Sequence, residues 1–398
     1  MHLVKSFTDP DDAIIALASL LRTVASEPAI PVAGRVLAEP IFADRDSPAA
    51  DVSAMDGYAI RIADLSMDRV SISGEAQPGQ PPTELMPGTA QRIFTGAVVP
   101  HGAEAIVMRE DTDESSVGSI VWLDRVGQLT RGGNIRFQGE NGKAGDSILN
   151  AGSLLTSAKI AAAANFGASL IALHRAVRVT IIVTGNELLD IHSSPTAWQL
   201  RDSNGPTIAA VCSQRSWIDC RPPTRCGDNV PELKQRLEDA LANSDAVILT
   251  GGVSKGDYDH VPGVIADLGA QTVFHQLPIR PGRPILGAVS KAGQLILGLP
   301  GNPVSAIVGM TRFGIPLLAK QSGQLDWQAL PRLVTVARPS DKTLHLHWYR
   351  LVRLISPTMV ELIDSQGSGD LVALSQSTGV IHQPPNTTGT GPWSYFAW

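Results

Sequence analysis

Between about residues 176 and 324 the chain alternates short apolar runs with amphipathic ones, and three of the apolar runs end in a glycine turn. VRVTIIVTG runs into Asn186, DAVILTGG into Val253, and QLILGLPGNP into Val304. Unbroken apolar runs of this length read as strands covered on both faces. The intervening segments SNGPTIAAVCSQ, NVPELKQRLEDALANS and HVPGVIADLG read as helices, and so does the stretch after the GNP turn. The second is the best formed: Asn229 can cap it, Pro231 falls early, and Leu233, Leu237, Ala240 and Leu241 line one face. Glu232 and Arg236 add a favourable i,i+4 pair. Strand and helix in alternation predict a parallel sheet with helices on both faces. Ligands of such sheets bind beyond the carboxyl ends of the strands, which is where the three glycine turns fall.

The flanking segments follow other patterns. Residues 8–23 read as a helix, with Thr8 or Asp9 as cap, Pro10 in the first turn, and Ile14, Leu17, Ala18 and Leu21 on one stripe. From 44 to 142 short β-rich runs (RVSISG, QRIFTG, AEAIVMRE, SIVWL) alternate with glycine and proline. Residues 153–169 return to helical character and end near Gly167, so the β segment reads as an insertion between two helical pieces. From 325 to 398 the pattern is β again, consistent with a small closing domain. The expected division is therefore 1–43 with 143–175, 44–142, 176–324 and 325–398.

At 398 residues, two to four domains are expected, and 43% hydrophobic against 18% charged residues supports packed cores. The net charge of −6 argues against a general nucleic-acid binder, because such domains carry a basic excess. The N-terminus, MHLVKSFTDPDDAIIALASLL, lacks the pattern of a signal peptide, and no apolar run is long enough to span a membrane. Cys212, Cys220 and Cys226 are an odd number without CxxC spacing, which fits reduced thiols and a cytoplasmic location better than a zinc site.

The residues that could carry chemistry cluster at the predicted strand ends. Thr184-Gly185-Asn186-Glu187, Thr250-Gly251-Gly252-Val253-Ser254 and Leu299-Pro300-Gly301-Asn302-Pro303 could each bring backbone N–H groups and a following helix start close to an anion. One such turn is an ordinary connection; three on successive strands favour a phosphate or oxyanion site. Glu187, Asp202, Asp257 and Asp259 crowd the same edge. A magnesium ion would reconcile these carboxylates with phosphate, since it takes oxygens from both. The plainer reading, helix capping, carries weight for Asp202 and Asp259. Arg280 and Arg283, on the stiff loop RPGRP, offer two planar forks suited to oxyanions. Asp56, in SAMDGYA, and Thr95, after the strand QRIF, sit in turns that periodicity alone leaves without a role.

Taken together, SAMDGYA (53–59), RIFTGAVVPHGAEAIVM (92–108), NIRFQGEN (134–141), VTGNEL (183–188), RDSN (201–204), DAVILTGGVSKGDYD (245–259), PIRPGRP (278–284), GLPGNPVSA (298–306) and SQGSGDLVALSQSTGVI (365–381) resemble the MoeA/gephyrin E-domain family of molybdopterin molybdenumtransferases. The matches run in family order over nearly the whole chain. The resemblance implies an elongated helical (dimerisation) domain interrupted by a β domain, a molybdopterin-binding three-layer α/β/α domain, and a C-terminal β-barrel. It implies a homodimer that takes adenylylated molybdopterin and molybdate, cleaves the adenylate with Mg2+, and releases AMP and the finished cofactor. A molybdopterin adenylyltransferase or a recipient molybdoenzyme would be its protein partners, with no role for nucleic acid or membrane.

Carried onto this chain, the resemblance gives catalytic weight to Asp56, Thr95, Glu187 and Asp259. It gives metal-binding weight to Glu187, Asp202, Asp257 and Asp259. Substrate contacts are expected from Gly185, Asp202, Gly251, Gly252, Ser254, Arg280, Arg283, Pro300, Gly301, Asn302 and Ser305. Three departures stand out. Arginines replace the lysines of the family's KPGKP loop, Gln276 stands where a further lysine is common, and the family's GED reads Gly139-Glu140-Asn141. The alternatives are a molybdopterin adenylyltransferase, which would release pyrophosphate from ATP, and a catalytically weak carrier of the pterin.

Overall fold

A computed structural model describes residues 6–254, 256, 259–328 and 330–398. The chain forms two compact units: Pro40–Asn150 with Ala161–Ser169, and the remainder.

The first of these units is built on a six-stranded sheet. Its order is Ala105–Met108, Gly57–Ile60, Thr89–Ile93, Val70–Ala76, Ser119–Trp122 and Thr112–Asp113. Tyr58, Ile60, Val70, Ala90, Val107 and Ile120 fill its core. Gly57 lies between two partner strands, and a Cβ there would meet the Val107 carbonyl oxygen at 1.9 Å. That close approach explains the glycine of MDGYA.

The other unit carries a seven-stranded sheet, whose central strands are those expected from the sequence. The strands Val177–Thr184, Ala246–Thr250 and Leu295–Leu299 are adjacent and parallel, with Ile218–Cys220 and Thr224–Cys226 also parallel to the first. Helices Asn204–Ser213, Val230–Asn243 and Val261–Asp267 form as expected. Asn229 accepts the Glu232 amide at 3.0 Å, and Arg236 reaches Glu232 at 2.8 Å.

The structure departs from an all-parallel sheet at one edge. Leu286–Val289 and Gln271–His275 are antiparallel to their neighbours and form a hairpin. The hydrophobic run ILGAV carries no direction signal, so its orientation follows from the chain returning through the RPGRP loop. After the GNP turn the helical stretch runs from Pro303 to Gln321 with a π segment at Met310–Gly314.

The first helix is shorter than its periodicity suggests. It spans Pro10–Ala18, with Asp9 accepting the Asp11 amide, and buries Ala13, Ile14 and Leu17 in the core that holds Val273 and Phe274. The second expected helix covers Ser157–Asn165. Strands following the two helices form a small sheet in the order Ser26–Ala29, Ile171–His174 and Val36–Leu37. The C-terminal strands close on themselves in the order His347–Ser356, Met359–Leu362, Arg332–Val336, Trp393–Ala397, Gly379–Gln383 and back to the first, a five-stranded barrel. No helix among the described residues is long and apolar enough to cross a membrane.

Candidate functional site

Register places the three glycine turns side by side. Val183 pairs with Thr250, and Thr250 with Leu299, so Gly185, Gly251 and Pro300 follow the ends of three adjacent strands. Leu286 pairs with Gly298, which brings the loop that precedes it, containing Arg280 and Arg283, to the same edge. At about 4.8 Å between strands, the four segments lie side by side along one edge.

A buried polar tie holds the turns. Asn204, at the start of its helix, donates from Nδ2 to Thr250 Oγ1 at 2.9 Å and to the Gly301 carbonyl at 2.7 Å. Thr250 donates in turn to the Pro300 carbonyl at 3.1 Å. Neither residue was singled out from the sequence. The available signals were an asparagine directly at a helix start and a threonine as the last residue of a buried strand. Thr250→Val keeps the shape but strands these polar groups, so it is expected to destabilise the fold by about 1–3 kcal/mol. Chemical denaturation measures this, and a change within error would show that the tie contributes nothing.

Glu187 lies in the first turn, exposed, with its carboxylate folded back to 2.6 Å from where a Cβ on Gly185 would stand. No helix follows this turn, contrary to the reading from the sequence. Instead the chain makes an excursion in which Leu188–Leu189 pairs with Leu200–Arg201, and the Leu200 amide bonds the Glu187 carbonyl at 2.8 Å. The helix begins afterwards at Asn204, with Ser203 at its cap position, and Asp202 precedes the cap: its buried carboxylate accepts the Gly205 amide of the first turn at 2.9 Å. That bond takes one Asp202 oxygen.

In the second turn Gly251 has φ 91°, and a Cβ there would lie 2.5 Å from the Thr184 carbonyl oxygen. Glycine is thus required for the two turns to touch. Gly252 also has positive φ, at 62°. Ser254 is half-buried beyond it. Asp259 does not cap the helix, whose cap position is His260; its Oδ2 accepts the Gly256 amide at 2.6 Å and closes the loop. Asp257 lies outside the described residues. His275, another residue the sequence did not mark, bonds the Val253 carbonyl through Nε2 at 2.7 Å and steadies this turn.

In the third turn Pro300 and Ser305 are buried, while Gly301 and Asn302 are exposed. The Val304 amide bonds the Ser368 carbonyl at 3.0 Å, so the C-terminal SQGSGD segment braces this turn. A Cβ on Gly282 would stand 3.7 Å from the Ser305 carbonyl oxygen, so the arginine loop lies against this turn. Ile279–Arg280 pairs with His347–Trp348 of the barrel, which anchors the arginine loop. Arg280 and Arg283 are exposed, and among the described residues neither forms an ion pair. Two uncompensated guanidiniums beside glycine turns make an anion-attracting edge.

In the other unit, Asp56 and Thr95 come together from separate loops. Asp56 Oδ1 accepts the Thr95 amide at 2.7 Å and its hydroxyl at 2.8 Å. These bonds hold the exposed carboxyl below its ordinary value, helped by the charges of Arg109 and Arg92. The neutral Asn141 also finds its place: Arg136 donates to Glu140 at 2.6 Å and to Asn141 Oδ1 at 3.0 Å. The amide oxygen thus retains an acceptor role that a carboxylate would fill. Gln276 adopts φ 70° where the loop begins, its amide bonded to Ile285.

Residues 8–167 match the model of the MoeA N-terminal region (domain I and II), and residues 180–320 match a probable molybdopterin binding domain. The chain is 36% identical over 379 residues to a molybdopterin molybdenumtransferase from Nostoc sp., covering 89% of this chain and 84% of that relative. The chain belongs to the molybdopterin molybdenumtransferase family. A molybdopterin molybdenumtransferase from Haemophilus influenzae is 34% identical over 310 residues, covering 77% of this chain and 74% of its own. The fold agrees with that of the molybdopterin biosynthesis MoeA protein from Pyrococcus horikoshii, with a TM-score of 0.81 at 23% identity over 98% of this chain and 99% of that one. The protein is accordingly a molybdopterin molybdenumtransferase-family enzyme of molybdenum cofactor biosynthesis.

Proposed function

We propose that this transferase takes molybdopterin as its adenylate, inserts molybdenum from molybdate, and releases AMP in a Mg2+-dependent reaction. The observation that carries the reading is the alignment, on one strand edge, of three glycine turns and two arginines without an ion-pair partner among the described residues. The bond to be broken is a phosphoric anhydride, whose bridging oxygen gains negative charge as it opens. Backbone amides of the turns after Thr184, Thr250 and Leu299, with Arg280 and Arg283, are suited to hold the phosphates and to stabilise that charge. Arginine grips bidentately, so it orients the phosphates as well as neutralising them.

Among the described residues no three carboxylates, thiols or imidazoles converge on one point. Mg2+ needs fewer, because it commonly binds through one or two carboxylates together with substrate phosphates and water. The donor set fits: Glu187 is exposed, and Asp259 uses Oδ2 within its own loop. Glu187, with one of Asp202, Asp257 and Asp259, would hold the ion. When bound it would neutralise charge on the phosphates. We assign Asp56, positioned by Thr95, to the same reaction, and Ser254, Asn302 and Ser305 to substrate contacts. A homodimer and a cytoplasmic location complete the reading.

Purified protein mixed with adenylylated molybdopterin, molybdate and Mg2+ is expected to release AMP, and omission of molybdate or Mg2+ is expected to suppress it. Adenylate bound but left intact would replace this reading with a carrier. Pyrophosphate formed from ATP and molybdopterin would replace it with an adenylyltransferase. Sedimentation at micromolar concentration tests the dimer.

A further inference from the structure

The chain has seven tryptophans, and Trp198 alone is exposed, at 78%. It stands on the excursion between Glu187 and Asp202. This segment is tightly braced. Thr196 and Gln199 bond each other through Oγ1 and Oε1 at 2.9 Å, and Arg201 Nε bonds the Ser193 carbonyl at 2.9 Å. Asp190 pairs with Arg225 at 3.0 Å and accepts the His192 amide. The parallel pairing of Leu188 with Leu200 then ties the excursion to the first glycine turn. Trp198 is two residues before Leu200, so its backbone stands within about 7 Å of that ladder.

An indole presented to solvent by a rigid loop is a ready platform for a flat ring, because little conformational entropy is lost when a ring stacks on it. Ile191 and Leu200, exposed at 50% and 61%, flank it on the same excursion. Three side chains of this size offer on the order of 400 Å2, about half of what each partner buries in a stable protein interface. A small planar ligand matches the patch better than a second copy of the chain.

We propose that Trp198 is a stacking platform for a heteroaromatic ring of the substrate, and so a further binding residue of the site. This rests on the adenylylated-molybdopterin reading. That substrate carries two such rings, a purine and a pterin, with the phosphates between them. With the phosphates at the glycine turns, one ring falls on the Glu187 side, where the excursion stands.

The test uses AMP and 6-hydroxymethylpterin as separate probes, with wild type, Trp198→Phe and Trp198→Ala. Binding of one probe is expected to quench the emission that is lost in Trp198→Phe. The affinity for that probe is expected to fall about tenfold or more in Trp198→Ala and to be largely retained in Trp198→Phe. The affected probe identifies the ring. Because Trp198 is exposed, thermal midpoints of the variants should match wild type. Equal affinities of all three proteins for both probes would overturn the platform and leave the proposed reaction standing. A change in sedimentation with unchanged affinities would also overturn it, in favour of a chain-chain contact. Failure of both probes to bind wild type would overturn the platform together with the reading on which it rests.

Discussion

Asp56→Ala is expected to reduce AMP release by on the order of 10²-fold or more, the scale set by loss of a positioned ionisable group. The argument starts from occupancy of its two oxygens. Oδ1 carries both bonds from Thr95, and among the described residues Oδ2 carries none. Thr95 thus fixes the rotamer and keeps the group ionised, leaving the second oxygen for chemistry. The carboxyl is held below its ordinary value, so activity dependent on it should persist as pH falls through the usual aspartate range. Asp56→Asn separates two roles: the amide oxygen can still accept from Thr95, but the charge is gone. If charge matters, Asn is as damaging as Ala; if only loop position matters, Asn restores most of the rate. Thermal unfolding should hardly change, because the side chain is exposed. Turnover within a few-fold of wild type in Asp56→Ala would remove this residue from the reaction.

Asp245→Ala is expected to cost about 1–3 kcal/mol of stability, the scale for losing charged hydrogen bonds at a buried carboxylate whose arginine partners stay partly hydrated. Asp245 is 3% exposed and immediately precedes the Ala246–Thr250 strand. Arg175 grips it bidentately at 2.6 and 2.7 Å, and the Arg178 amide donates at 2.9 Å. Burial alone would raise its carboxyl. The hydrogen bonds from Arg175 and Arg178 outweigh burial and hold it down at about 2, against 3.8 unperturbed. A depressed carboxyl contributes stability that is present above the unfolded value and lost as pH falls through the folded one. The wild type should therefore lose this contribution between about pH 4 and 2, and the variant should lack that part of its acid sensitivity. Asp245 sits at the opposite end of its strand from the glycine turns, so turnover by the folded variant should stay near wild type. Denaturation midpoints across pH, with a rate measured below the unfolding transition, check both parts. An unchanged midpoint at neutral pH would mean that the pair is energetically silent.

Local pattern carried far in this chain. The strands ending at Thr184, Thr250 and Leu299 are apolar because both faces are covered, and that property is written directly in composition along the run. Asn229 caps its helix because the bond it makes spans three residues. The glycines of TGG are legible because positive φ excludes most other residues locally, whereas the glycine of MDGYA is explained only by its approach to Val107 on a distant strand. The motifs in family order extended this to the reaction class.

Long-range relations had to come from the fold. Nothing local shows that Asn204 reaches Gly301, 97 residues away, or that Asp56 meets Thr95, because those contacts depend on strand register and loop closure. The antiparallel edge Leu286–Val289 is as apolar as its parallel neighbours, so its direction was decided only by packing. Asp202 and Asp259 look alike in sequence, yet one accepts an amide from the first turn of a helix and the other closes its own turn. Sequence by itself determined which segments could be strands, helices and glycine turns, since those choices rest on nearby atoms. Tertiary structure alone decided which turns share an edge, which carboxylates keep a free oxygen, and that Trp198 faces solvent, since each depends on what the rest of the chain leaves uncovered.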